Sequence, residues 1–411
     1  MQSPLVVDQQ AWYLSHQDYL QRAFERSSHY LYHVVEELEK RHMPTELALL
    51  PFVESAYNPM AYSRARASGM WQFIPSTGKN YNLHQDFWHD ERRDVLASTD
   101  AALNYLEALY ELHGDWTLAL ASYNWGEGAV KRAIDHNSAQ GKPTDYMSLN
   151  MPDETRTYYP KLQALKNIIN NPGAFGVVLP RVDNQPYFVT ISNPRPMDVS
   201  AAARFAEMPL DDFKALNPSF NRPVIAGAPE VSLLLPADRV EMFKTNLQSN
   251  AGPLVTWEAY RARRGERVAQ IAQRFGMSVA ALCEANGLSG RERLRPGEAL
   301  LVQKHTPAKG AANATQSLAS VQNANVITMV ATPVSLTTAA SGPVPGGSAR
   351  SVSSSSYVVR SGDTLSSIAD HFNTSVDAIK RANHLRNNNI GIGQKLVVDA
   401  GGAGAPSVAH R

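Results

Sequence analysis

The chain has 411 residues, with 39 Lys and Arg against 38 Asp and Glu, a formal charge of +1 and a 43% hydrophobic share. That length fits several domains, and the near balance of charge argues against a nucleic-acid partner, which would require a strongly basic face. The lone Cys283 cannot form an intramolecular disulfide, no Cys/His spacing suggests a metal site, and no apolar run of about twenty residues is present to span a bilayer.

Leu20, Phe24, Leu31, Val34, Val35 and Leu38 recur at three- and four-residue spacing and predict one long helical segment with a buried face. Glu36, Glu37, Glu39, Lys40 and Arg41 form its solvated side. A second helical run is expected over Ala101 to His113, opened by Asp100, whose charge suits a helix N-terminus. Strand-like alternation is scarce before about residue 185, so a sheet-based hydrolase is not expected there. The first part of the chain therefore reads as all-helical.

Glu54 ends the apolar run Leu47-Ala48-Leu49-Leu50-Pro51-Phe52-Val53, just before Ser55-Ala56-Tyr57-Asn58-Pro59. A carboxyl held against such side chains loses hydration, which penalises its charged form and raises its pKa toward the range of a general acid at neutrality. A solvated Glu at a helix end is the other reading of this window. Farther on, Gly69-Met70-Trp71-Gln72-Phe73-Ile74-Pro75-Ser76-Thr77-Gly78 sets aromatic faces and an amide between glycines, a mixture suited to a sugar groove. Ala121-Ser122-Tyr123-Asn124-Trp125-Gly126-Glu127-Gly128 and Glu154-Thr155-Arg156-Thr157-Tyr158-Tyr159 follow. Read alone, Tyr123 and Tyr158 also suit core packing with satisfied hydroxyls.

Together and in this order, the four segments resemble the soluble lytic transglycosylase family, in particular its membrane-bound type-D branch, across roughly residues 15–175. The resemblance implies a goose-type lysozyme-like helical domain, placed at 12–175, with Glu54 as the catalytic residue. It implies substrate contacts from Ser55, Met70, Gln72, Phe73, Tyr123, Asn124 and Tyr158. Trp71 stands between Met70 and Gln72, and Trp125 stands where relatives carry a small residue. The implied chemistry needs one carboxylate where most glycosidases use two. Glu54 protonates the bond between N-acetylmuramic acid and N-acetylglucosamine, then accepts the C6 hydroxyl proton as a 1,6-anhydro end closes without water. A lysozyme-like muramidase on the same fold is the alternative, and a non-catalytic wall-binding protein the third reading.

The C-terminal half repeats itself. Gly265 to Leu288 aligns without a gap on Gly362 to Leu385, pairing Ile271 with Ile368, Ala272 with Ala369, Phe275 with Phe372, Val279 with Val376 and Asn286 with Asn383. Each unit opens on a β-like run (Leu254 to Trp257; Tyr357 to Arg360) and passes through two short helices. It closes on another β-like run (Ala299 to Val302; Lys395 to Val398). These units, at 254–303 and 357–399, resemble LysM domains, βααβ modules that bind N-acetylglucosamine glycans. The second copy, with Gly362-Asp363-Thr364-Leu365, is the nearer match, and the resemblance implies a groove between those residues and Asn389, Ile390, Gly391 and Ile392. Gly362 and Asp363 also read simply as turn and capping residues. The first copy has Arg264-Gly265-Glu266-Arg267-Val268 in that place. A degenerate third unit is expected at 187–236, with strands at Val189 to Ile191 and Val231 to Leu235, helices at Val199 to Phe205 and Leu210 to Asn217, and a spacer role.

Residues 305–356 shift to Ala, Ser, Thr, Pro and Gly and are expected to form a flexible linker, spanning on the order of 40 Å at about 5–6 Å times the square root of length. The expected whole is multidomain: an all-α lysozyme-like catalytic domain followed by small βααβ LysM modules. Its expected partner is peptidoglycan glycan, with no cofactor, no metal and an unidentified protein regulator. The implied substrate lies outside the cytoplasm, so a periplasmic location is expected, with a secretion signal and a lipid-bearing Cys upstream of this chain.

Overall fold

The computed structural model describes residues 3–192, 195–226, 231–290, 292–304, 315–316, 354–358, 368–369, 372, 374, 376–383 and 394–399. Chain contacts divide the molecule into Met1–Ala331 and Thr332–Arg411.

The first unit opens with α1 (Pro4–Ser15), α2 (Gln17–Ser27) and α3 (Leu31–Lys40). The single long helix expected from periodicity is thus broken between α2 and α3. Ser27 and Ser28 hydroxyls donate back to the carbonyls of Phe24 and Glu25 (both 2.7 Å), which competes with continuation of the helix. Tyr30 then turns inward, 1% exposed, and donates to the Ala215 carbonyl (2.9 Å). A 3₁₀ turn, Thr45–Leu49, leads into α4 (Leu50–Ser55), and α5 spans Pro75–Asn80.

The central helix, α6, runs Val95–His113. It starts before the expected Ala101 because Asp94 is the cap, accepting from the amides of Leu96 (3.1 Å) and Ala97 (3.0 Å). Asp100 lies inside the helix and pairs with Arg41. Ala102, Leu103 and Leu106 are completely buried in the main core. Around it lie α7 (Trp116–Trp125), α8 (Glu127–Ala139), α9 (Asp153–Arg156) and α10 (Tyr158–Asn170).

The next module pairs β1 (Phe188–Ser192) antiparallel with β4 (Ser232–Pro236) around α11 (Val199–Phe205) and α12 (Leu210–Leu216). A second small ladder, β2 (Met197–Asp198) with β3 (Val224–Ile225), was not expected. Nor was α13 (Val240–Ser249), which lies past the expected end at 236 and packs Phe243 edge-on to Phe205. The following module comprises β5 (Trp257–Arg261), α14 (Val268–Arg274), α15 (Val279–Asn286) and β6 (Ala299–Gln303), with β5 and β6 antiparallel. Its first strand begins three residues later than expected. Leu254 is held by the Asp198 amide (2.8 Å), and the Thr256 amide and hydroxyl donate to the Asp198 carboxylate, so sheet pairing starts at Trp257.

Within the expected linker, β7 (Thr315–Gln316) pairs with the free edge of β5. The remaining linker expectation lies outside the described residues, apart from Ser354 to Ser356, which belong to a strand of the second unit. There β8 (Ser354–Val358) pairs antiparallel with β9 (Lys395–Asp399), beside α16 (Val376–Ala382).

One device recurs in all three modules. Asn217, Asn286 and Asn383, each ending the second helix, donate from Nδ2 to a carbonyl of the closing strand and accept that same residue's amide on Oδ1. The partners are Leu234 (2.8 and 2.8 Å), Leu301 (2.8 and 2.7 Å) and Val397 (2.7 and 2.7 Å). This reciprocal pair fastens helix to strand, and it accounts for the Asn in the internal repeat and for Asn217 in the degenerate copy.

Candidate active site

A cleft of about 490 Å³ opens on the helical domain, lined by Glu54, Gln72, Phe73, Tyr105, Tyr123, Asn124, Trp125, Glu154, Tyr158 and Lys161, among others. Its floor is the end of α4. After Glu54 and Ser55 the helix terminates abruptly, because Ala56 (φ 51°) and Tyr57 (φ 54°) both take left-handed backbone. Two consecutive non-glycine residues there cost roughly 1–2 kcal/mol each. Tyr57, fully buried, offsets this by donating its hydroxyl to the Ala48 carbonyl (2.7 Å).

Four hydrogen bonds connect the four sequence motifs in a closed circuit. Ser55 Oγ donates to the Met70 carbonyl (2.8 Å), joining the first to the second. Tyr123 Oη donates to the Trp71 carbonyl (2.8 Å), joining third to second. Thr155 Oγ1 donates to Asn124 Oδ1 (2.7 Å), joining fourth to third. Tyr158 Oη donates to Glu54 Oε1 and completes the circuit.

The electrostatics of Glu54 follow from this enclosure. Loss of hydration among protein groups pushes its carboxyl up from 4.5 to about 7; the Tyr158 hydroxyl and Lys161 oppose the rise, and the neighbouring charge of Glu154 adds to it. Glu54 is therefore poised to hold and release a proton near neutrality. Burial, with the Glu54 charge close by, raises Tyr123 and Tyr158 well above the ordinary phenol value, so both remain hydroxyl donors.

Of the expected contact residues, Gln72, Phe73, Tyr123, Asn124 and Tyr158 line the cleft with Glu54. Met70 does not: its side chain is 1% exposed within the core, and only its carbonyl serves the site. Ser55 is likewise turned away, its hydroxyl donating to the Met70 and Pro51 carbonyls. Trp71, expected to offer a face, is completely buried and donates Nε1 to Thr99 (3.0 Å). The backbone explains this arrangement. Gly69 (φ 85°) lies so close to the Arg92 carbonyl that a Cβ would sit 2.0 Å from that oxygen, and Gln72 is itself left-handed (φ 52°). The loop is thereby folded so that Gln72 reaches the cleft and bonds back to the Gly69 carbonyl (2.7 Å).

The sequence reading missed Tyr105, Glu154 and Lys161 in the lining. Lys161 follows Tyr158 by three residues on α10, a spacing that put it on the same face. Tyr105 lies in the apolar α6 pattern and carried no signal. Glu127 accepts from the Tyr105 hydroxyl (3.0 Å). The expected glycan groove of the last module, Gly362, Asp363, Thr364, Leu365, Asn389, Ile390, Gly391 and Ile392, lies outside the described residues. Among the described residues no cluster fit for a metal is found, and no helix is long and apolar enough to cross a membrane.

Comparison with known families matches the transglycosylase SLT domain over residues 32–145, the LysM domain over 260–303 and 357–399, and the LysM-like domain of lytic transglycosylase MltD over 187–251. Membrane-bound lytic murein transglycosylase D of Escherichia coli K12 is 34% identical over 390 residues, 92% of this chain and 78% of that protein. An Alteromonas protein named for tributyltin chloride resistance is 40% identical over 38% of this chain and 75% of its own length. Membrane-bound lytic murein transglycosylase C of Glaesserella parasuis is 31% identical over 21% of this chain and 27% of its own length. Identity sustained across nearly the whole chain, with the domain types matched in order, makes this chain a member of the membrane-bound lytic murein transglycosylase D family: a lytic murein transglycosylase with a helical lysozyme-like domain followed by LysM modules.

Proposed function

We propose that Glu54 alone supplies the acid and the base for cleavage of the N-acetylmuramic acid to N-acetylglucosamine bond. The observation that carries this reading is its carboxyl, raised to about 7 by burial and held by Tyr158. The Glu54 proton passes to the glycosidic oxygen as the C1–O bond breaks, and N-acetylglucosamine departs with a free 4-hydroxyl. The muramic acetamide stabilises the cationic C1, with the Tyr158 and Tyr123 hydroxyls as nearby donors. Glu54, now a carboxylate, accepts the C6 hydroxyl proton as O6 bonds to C1. The carboxyl is regenerated, water is not consumed, and a 1,6-anhydro end results. Gln72 and Asn124 suit hydrogen bonding to sugar acetamides and hydroxyls, and Phe73 and Trp125 suit the apolar ring faces.

The hydrolytic alternative requires a second carboxylate, and Glu154 lines the same cleft. It is exposed, as suits a charge solvated at the rim. Mass spectrometry of muropeptides released from purified sacculi separates the two routes. Anhydro ends lighter by one water, about 18 Da, and absent with Glu54→Gln, support the single-carboxylate route; hydrolytic reducing ends reject it and turn attention to Glu154.

In the same reading, residues 12–175 form the catalytic domain, 187–236 with α13 a spacer, and 254–303 and 357–399 wall-binding modules that raise the local concentration of glycan. The site of action is the cell envelope, with the enzyme held at the membrane by a lipid anchor. Deleting residues 306–411 is expected to weaken sedimentation with sacculi while leaving cleavage of short glycans intact.

A further inference from the structure

A second cavity, of about 450 Å³, lies where the helical domain, the 187–236 module and the first LysM module meet. Its charged lining is Arg93, Lys214 and Arg222 against Glu284. The two arginines flank Asn221: Arg93 Nη2 donates to its side-chain oxygen, and Arg222 Nη1 donates to its carbonyl (3.4 Å). Each retains a buried Nε–H with no acceptor. Among the described residues neither guanidinium forms an ion pair.

Of the acids near the arginines, Asp90 and Asp86 are already engaged. Asp90 binds Arg92 through two contacts (2.9 and 2.7 Å), and Asp86 accepts the amides of Trp88 (2.7 Å) and His89 (2.6 Å). Arg222 stacks over Phe87, with its guanidinium carbon 3.9 Å from the ring centre, and burial together with Arg93 pushes its pKa down to about 10. Two partly buried guanidiniums that share Asn221 and form no ion pair among the described residues are suited to an anion.

The cavity also adjoins the catalytic cleft. Met60 lines the junction, whereas Ser63, Ala65 and Ala67 of the same loop line the cleft, so one loop walls both. Gly69 in turn rests on the Arg92–Arg93 backbone.

We propose that the junction formed by Arg93, Arg222 and Lys214 is a carboxylate-binding site for murein stem peptides, engaging a peptide on a strand whose glycan lies in the cleft. The proposal rests on murein being the substrate and is independent of the role assigned to Glu54. Guanidinium forks match planar carboxylates, and a stem peptide carries such groups on the glycan that the cleft accepts.

The test uses the full chain and a synthetic stem tripeptide with free carboxylates, which contains no glycosidic bond and cannot be turned over by any mechanism. In an NMR or calorimetric titration, Arg93→Gln with Arg222→Gln is expected to weaken binding at least tenfold. Lys214→Gln is expected to weaken it about threefold with unchanged thermal stability. The fully amidated tripeptide is expected not to bind. Equal affinity of native and Lys214→Gln proteins for the acidic tripeptide, or equal binding of the amidated one, overturns the proposal. So does inorganic phosphate binding as tightly as the tripeptide, which makes this a general small-anion site. The anhydro-product assay fails or succeeds separately, so the two readings are told apart.

Discussion

The catalytic cleft and the three small modules both use polar side chains to fasten backbone, to opposite ends. In the modules, Asn217, Asn286 and Asn383 each satisfy an amide and a carbonyl of one closing strand, within one self-contained unit. In the cleft, bonds run between motifs far apart in the chain, as from Tyr158 to Glu54, and leave an ionisable group at the centre with a raised pKa. The modules' asparagine amides are paired on both atoms and serve stability. The circuit around Glu54 holds a carboxyl where its charge is disfavoured, at a cost in stability.

The largest test of that contrast is Glu54→Gln, expected to lower turnover at least about 10³-fold. The same change should stabilise the protein at high pH. The folded carboxyl titrates near 7 against 4.5 for the ordinary group. Between those values the folded state keeps a proton that the unfolded chain releases, so stability falls as pH rises through the window, and the deficit is complete above 7. Removing it is worth on the order of 2 kcal/mol, allowing for the cleft's access to water. Thermal unfolding at pH 8 should therefore shift upward in the variant and be unchanged at pH 4. A variant less stable at pH 8 would contradict the raised pKa.

Asn286→Ala should do the reverse. It strands the buried amide and carbonyl of Leu301, at a cost of about 3 kcal/mol. Denaturant unfolding should report an early transition for that module, while kcat on short glycans stays within twofold. A matching loss of kcat would mean that cleft and modules are energetically one body.

Much of this contrast was legible in the sequence, and the exceptions share a cause. Glu54, Gln72, Phe73, Tyr123, Asn124 and Tyr158 could be selected because their side chains face the cleft. Met70 and Trp71 were misread because they act through backbone carbonyls, with side chains turned into the core. Residue type does not display a carbonyl's direction; Gly69 and the left-handed Gln72 set it, and only the folded loop shows it. The repeat marked Asn286 and Asn383 as equivalent, yet the two bonds to one strand residue are a tertiary fact. Helix periodicity likewise passed over the break at Ser28 to Tyr30, because the buried face continues while the backbone turns.

Tyr158→Phe probes the circuit at its titratable link. The hydroxyl favours the carboxylate, so its loss raises the Glu54 pKa further. The expected result is about a tenfold fall in kcat, with the alkaline limb of the pH profile displaced upward from about 7. Native enzyme should show that one descending limb, whereas a two-carboxylate hydrolase gives a bell. An unmoved limb would show that Glu54 is not the group being titrated.

Ser55→Ala is the mildest test and the most discriminating of positioning. Ser55 does not itself line the cleft; it donates to the Met70 carbonyl and so couples α4 to the loop bearing Gln72. Losing one such bond costs about 1 kcal/mol, and misplacement of Gln72 relative to Glu54 should lower kcat about fivefold. The pH limb should not move, since Ser55 makes no contact that shifts the carboxyl. Stability lost with kcat intact would make Ser55 a structural tie like Asn286; kcat lost with the limb fixed would establish that the circuit aligns the loop against the acid as well as holding the domain together.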